Sequence, residues 1–185
     1  MTTKLHRILA AVFASSAIAL AGAGCGPQQD AKSPSGDIAA MIGKPAPDFT
    51  AESVTGEGPT TLKDAKGTVV VLDFWATFCG PCKKSFPKYQ SLVEQFGGEV
   101  NVLAVSTDDP EDASKEALIE FANSTGAKFA VVWDKNKDAV KHYPTPTMPT
   151  SYVIDKEGVI KHVHAGYKDG EEDEIMAEVK ALLGK

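Results

Sequence analysis

The chain has 185 residues, 19 basic and 25 acidic side chains, and a formal charge of −6. A net acidic surface argues against nucleic acid as a partner and gives no basic patch for anionic lipid. The length suffices for one domain with a single apolar core.

Lys4, His6 and Arg7 precede Ile8 to Ala23, which is apolar or small apart from Ser15 and Ser16. A basic start and a short apolar run form the pattern of a bacterial export signal, expected over residues 1–24. The run is short for a stable membrane span, which needs about 20 strongly apolar residues. Gly22-Ala23-Gly24-Cys25 resembles a bacterial lipoprotein box, so Cys25 is the expected lipidation site. It departs from that pattern in two places: Leu20 stands two positions too early, and Gly22 stands where Leu is common. Ala21-Gly22-Ala23 is also a fair site for ordinary cleavage, which would leave Cys25 as a free thiol. Residues 25–40, rich in Gly, Pro and Ser, carry too little apolar surface to fold and read as a flexible tether.

Residues 41–185 carry the expected domain. Phe49 to Val54 reads as a short edge strand, and Gly56 to Pro59 as a turn. Thr68 to Phe74 is a continuous apolar run broken by one carboxylate, the pattern of a central strand covered on both faces. A helix is predicted after Cys79, with Phe86, Tyr89, Val93 and Phe96 as its apolar stripe. Pro87 should kink it and Gly97-Gly98 should stop it. Val100 to Val105 is the next strand. Asp109-Pro110-Glu111-Asp112 predicts a helix start, with Ala117, Leu118 and Phe121 facing inward and Gly126 as its end. Phe129 to Trp133 is a strand, and Asp138 to Tyr143 a short helix. Pro144, Pro146 and Pro149 exclude helix. Thr150 to Asp155 and Val159 to His164 flank Lys156-Glu157-Gly158, a hairpin signal. Glu171 to Leu183 is the last helix, with Ile175, Met176, Val179 and Leu183 on one face. This order implies a three-layer α/β arrangement, with Cys79 just past the C-terminal end of a central parallel strand, where such sheets hold their sites.

Cys79 and Cys82 flank Gly80-Pro81 at the start of that helix. Unpaired backbone N–H groups and the helix dipole favour an anion there, lower the thiol pKa and supply a reactive thiolate. Cys79 is therefore the expected nucleophile, and Cys82, more buried, resolves the mixed disulfide. A purely structural disulfide would gain little from closing so small a loop. Asp73 is a carboxylate in an apolar strand; burial should raise its pKa and make it a candidate proton acceptor for Cys82. A hydrogen-bonded side chain at the sheet edge is its plainer reading. Trp75 and Phe78 are expected to flank the dithiol, or to be core. Lys83 and Lys84 favour the thiolate or simply meet solvent. His162 and His164 share a strand face and, with no acid nearby in the sequence and no third His, read as solvent-facing polar side chains rather than metal ligands.

The run from Asp73 to Cys82 resembles the thioredoxin active site, WxxxCGPC behind an aspartate. The GKPAPDF opening, the long segment between core strands and the MPTSYVID run resemble the TlpA/ResA group of exported thioredoxin-like proteins. The resemblance implies a thioredoxin-like three-layer α/β/α fold with a central mixed sheet, an N-terminal β extension and an αβ insertion. It also implies a cis-proline at Pro149 that offers a backbone edge to substrate, a Cys79–Cys82 redox disulfide tuned by Gly80 and Pro81, and a reducing poise. Disulfide-containing exported proteins are the implied substrates, cytochrome c maturation an implied setting, and a membrane electron donor the implied re-reductant. A monomer without cofactor is expected. Ser85 stands where ResA-like proteins often carry a glutamate, which leaves Asp73 as the obvious acid. Two alternatives stay open. The GKPAPDF opening is shared with peroxiredoxin-like peroxidases, although Thr77-Phe78-Cys79 misses their spacing by one. A copper carrier using both thiols is the other. No second cysteine pair completes a tetrahedral zinc site.

Overall fold

The computed structural model describes residues 38–185. The expected export signal, Cys25 and residues 25–37 of the expected tether lie outside the described residues. Residues 38–40 begin a helical turn in which the Met41 N–H bonds the Ile38 carbonyl at 2.9 Å and Ile38 is buried.

Six strands and four helices follow. The strands are β1 (Glu52–Thr55), β2 (Val69–Trp75), β3 (Val100–Ser106), β4 (Ala130–Trp133), β5 (Thr150–Ile154) and β6 (Ile160–Ala165). The helices are α1 (Cys82–Phe96), α2 (Lys115–Ser124), α3 (Asp138–His142) and α4 (Glu171–Leu183). The sheet runs β1-β4-β3-β2-β5-β6. Strands β2, β3 and β4 are parallel, while β1, β5 and β6 join antiparallel to β4, β2 and β5. This is the mixed sheet expected of a thioredoxin-like fold.

Every residue of β2 is buried, as its unbroken apolar run requires. Its alternating side chains feed two cores. Val69, Val71 and Trp75 meet residues of α1, α2 and α4 on one face. Val70, Leu72 and Phe74 meet Phe49, Tyr143 and Tyr152 on the other, beside the short α3. Full burial of each such side chain contributes about 1.5–3 kcal/mol. Asp73 falls by alternation on the three-helix face.

The structure departs from the sequence reading at three elements. The edge strand starts at Glu52 rather than Phe49. Phe49 instead plugs the second core, edge-on to Tyr143 at 6.0 Å. Helix α2 starts at Lys115, capped by the Ser114 hydroxyl, which accepts from the Ala117 N–H at 3.3 Å. Asp109 to Asp112 is only a turn, because the Asp109 side chain is taken by Lys137 at 2.8 Å and caps nothing. On α1, Leu92 is buried while Val93 is half-buried. The two flank the stripe on opposite sides, and α4 covers the Leu92 side, where Met176 stands beside it.

Glycine is required where β1 closes on β4. Gly56 has φ +90°, and a Cβ there would run into the Phe129 carbonyl.

Candidate active site

The chain leaves β2 at Trp75 and turns at once, the Cys79 N–H bonding the Ala76 carbonyl at 3.0 Å. Helix α1 begins at Cys82, and Cys79 stands just before it. Its first amide still has an acceptor. The Cys82 N–H points at the Cys79 sulfur, 3.2 Å away, so Sγ occupies the place of a capping oxygen. Cys79 and Cys82 are joined as a disulfide. Cys79 keeps 5% of its surface and Cys82 none, the order of exposure that the sequence implied.

Asp108, at the end of β3, fixes the approach to the dithiol. Its carboxylate accepts from the Thr77 N–H at 3.0 Å, the Thr77 hydroxyl at 2.6 Å and the Ser106 hydroxyl at 2.8 Å. Its carbonyl accepts from the Trp133 indole at 2.8 Å. Next to it, the Thr107 N–H bonds the Trp75 carbonyl at 2.9 Å, and its hydroxyl lies 3.7 Å from the Met148 sulfur. One loop thus ties together the dithiol turn and the Met148-Pro149 segment. The Met148–Pro149 peptide is cis, and Met148 packs against the cluster that contains both cysteines. The Pro149 carbonyl accepts from the Gly166 N–H at 2.8 Å.

Asp73 is fully buried. Its Oδ1 accepts from the Ser151 hydroxyl at 2.6 Å and the Tyr89 hydroxyl at 3.3 Å, and those two oxygens lie 2.8 Å apart. Its Oδ2 is buried without a partner. Burial pushes the Asp73 pKa up to about 7, with a contribution from the Glu171 charge, against the two hydrogen bonds that favour the anion. Burial, then the Asp73 charge, drives the Tyr89 pKa well above the ordinary phenol value.

The flanking residues divide. Trp75 is core, stacked against Phe121 at 4.3 Å and edge-on to Phe86 at 5.1 Å. Phe78 is 78% exposed, an aromatic surface immediately before the nucleophile candidate. Gly80 and Pro81 are exposed. The Lys83 ammonium lies 5.7 Å above the Phe121 ring, and that of Lys84 5.2 Å above Tyr167. Ser85 is buried and donates to the Cys82 carbonyl at 3.2 Å. His162 and His164 do have acids beside them, contrary to the sequence reading. Glu178 reaches both, at 3.0 Å and 2.8 Å, and Glu171 lies 3.6 Å from His164. Both glutamates come from α4, which no local pattern in β6 reveals. Sequence reasoning also missed Asp108, Ser151 and the polar role of Tyr89.

A thiol pair capping a helix at the carboxyl end of a central strand, beside a cis-proline, defines a thioredoxin-like thiol-disulfide oxidoreductase. Comparison with known proteins agrees: a family model described as AhpC/TSA matches residues 42–163, and the chain belongs to that family. It is 34% identical over 130 residues to the thioredoxin-like protein YneN of Bacillus subtilis, covering 70% of this chain and 75% of the relative. It is 36% identical over 121 residues to the thiol-disulfide oxidoreductase ResA of Bacillus anthracis, covering 65% and 67%. A DsbE-type thiol:disulfide interchange protein from Chlorobium tepidum superposes with a TM-score of 0.67 at 32% identity, over 77% of this chain and 97% of that one. StoA of Bacillus subtilis shares the fold, with a TM-score of 0.58 at 24% identity over 71% and 97%.

Proposed function

We propose that this chain is exported, held at the membrane by lipid on Cys25, and reduces disulfides of extracytoplasmic proteins, acting as a monomer without cofactor. One observation carries the reading: the Cys79 sulfur receives the first amide of α1 at 3.2 Å, where the helix terminus stabilises a thiolate. Thiolate Cys79 attacks one sulfur of a substrate disulfide. A new S–S bond forms, and the first substrate thiolate leaves. The Cys82 thiol gives its proton to Asp73, and its sulfur attacks Cys79. The enzyme–substrate bond breaks, the second substrate thiolate leaves, and the enzyme is left oxidised by two electrons.

A proton acceptor with a pKa of about 7 suits this step, because acceptance and release are both accessible near neutrality. Pro149 presents backbone to the substrate segment, and the exposed Phe78 offers it an apolar platform. Gly80, Pro81, Trp75 and Lys83 set the potential of the pair. A membrane electron donor restores the dithiol. Export is supported by the basic and apolar start of the chain, and the reducing direction by the resemblance to ResA-type proteins. An exported thiol protein such as a cytochrome c precursor is the proposed client.

The test is to trap Cys79 and Cys82 by alkylation in growing cells, together with Cys82→Ser. A largely reduced pair, and a stable mixed disulfide through Cys79 in the variant, are expected. A fully oxidised pair would reverse the direction. Peroxide turnover surviving in Cys82→Ser would favour a peroxidase, and tight stoichiometric Cu(I) binding without disulfide reduction a carrier.

A further inference from the structure

A carboxylate that accepts a proton in every cycle must also lose it, and Asp73 has no exposed surface of its own. The strand register suggests where the proton goes. Asp73 faces Ser151 across the β2–β5 ladder, and Ser151 faces His164 across β5–β6. Directly facing residues project on the same side of the sheet with Cβ atoms about 5 Å apart. Three polar side chains therefore form one row, from the sheet centre to its edge, beneath Tyr89 of α1 and Glu171 of α4.

The outer end of the row is wet. The His164 side chain is 12% exposed, with Nε2 2.8 Å from Glu178 and Nδ1 3.6 Å from Glu171. Glu178 also holds His162 at 3.0 Å, and His162 is 41% exposed. Glu171, itself nearly buried, accepts from the Lys168 N–H at 3.4 Å. The titratable groups facing the row are thus Glu171 and Glu178 from α4, His162 and His164 from β6, Lys168 in the loop before α4 and Glu172 in its first turn. Burial raises the Glu171 pKa, and its charge acts on both Asp73 and Tyr89.

We propose that the row Asp73–Ser151–His164, with Glu171 over it, carries the proton taken from Cys82 out to solvent. This rests on Asp73 being the acceptor. Protonated Asp73 hands a proton to the Ser151 oxygen while the Ser151 hydroxyl proton passes, through a bridging water, to the His164–Glu171 pair. His164 releases it by way of Glu178 and His162. One proton moves from Cys82 to bulk, and no bond to sulfur or carbon changes in the relay. His164 and Glu171 touch neither substrate nor dithiol; they act through Asp73.

The experiment follows the reduced full-length protein by rapid mixing with dithiobis(nitrobenzoate), which releases one nitrothiobenzoate when Cys79 attacks and a second when Cys82 closes the disulfide. In dilute buffer near neutral pH, His164→Gln and Glu171→Gln should slow the second release about tenfold and leave the first unchanged. Added imidazole should restore the second release in both variants and leave the wild type unaffected. An unchanged second release, or a slowed one that imidazole does not restore, would overturn the relay. Asp73→Asn separates the two readings. If it abolishes the pH dependence of the second release while the outer variants behave as wild type, the relay fails and the acceptor stands. If it keeps that dependence, the acceptor itself fails.

Discussion

A carboxylate inside β2 costs the fold free energy whenever it is charged, and the cost depends on pH in a definite sense. The folded pKa of Asp73, about 7, lies above the ordinary 3.8. Between those values the native state holds a proton that the unfolded chain has lost, so stability falls as pH rises through this window and is level above it. Asp73→Asn should therefore be more stable than wild type at pH 8, by roughly 2–4 kcal/mol, and lose that advantage near pH 4. Denaturant melts at both pH values test this; equal gains at both would refute it. Asp108 makes the opposite case. Asp108→Ala strands the Thr77 amide and two hydroxyls. A loss of roughly 2–3 kcal/mol is expected by denaturant unfolding, with slower attack by Cys79 because its turn is released. Asp73 was legible in the sequence as the one charge in an apolar run. Ser151 was not, because it meets Asp73 only across the ladder, 78 residues away. Asp108 carries no local signal in Thr-Asp-Asp-Pro, because only the fold brings the Thr77 amide to it.

Elements were read well where one signal dominated and poorly where two competed. Strand β2 and the β5–β6 hairpin follow from apolar runs and a glycine turn that nothing contradicts. Helix α2 was expected to start at Asp109, but Lys137, from another part of the chain, occupies that carboxylate, and Ser114 caps the helix instead. The N-terminal strand shifted because Phe49 gains more by entering the core than by pairing at an edge. Strand β1 nevertheless depends on a single local feature, the positive φ of Gly56 beside the Phe129 carbonyl. Gly56→Ala should cost more than about 1 kcal/mol. The dithiol exchange rate should be unchanged, since β1 lies at the opposite edge of the sheet from β6 and is separated from β2 by β4 and β3. A thermal melt and a rate measured on the same sample check both halves.

At the scale of the molecule, the chain carries a formal charge of −6 while the residue before Cys79 is an exposed aromatic. An acidic surface accelerates encounter with basic partners and slows acidic ones, and salt removes both effects. Reduction of a basic disulfide peptide should thus slow as ionic strength rises, whereas an acidic peptide of the same length should speed up. Phe78→Ala should weaken both substrates alike and leave the salt dependence intact. Rates for the two peptides at low and high salt decide this. A common response to salt would mean that the net charge plays no part in encounter.

The pairing of β2 with β5 has a consequence for when the protein takes shape. The centre of the sheet closes only when residues near Ser151 reach Asp73, across a separation of 78 positions. Contacts that distant in the chain are entropically slow to form and come late. Most of the polypeptide must therefore be synthesised before β2 acquires both neighbours, so an emerging chain stays open through most of its length. The export proposed above would move the chain in that open form. The strand that carries the buried acid and leads into the reactive pair gains its second neighbour late, which defers assembly of the dithiol centre until the chain is nearly complete.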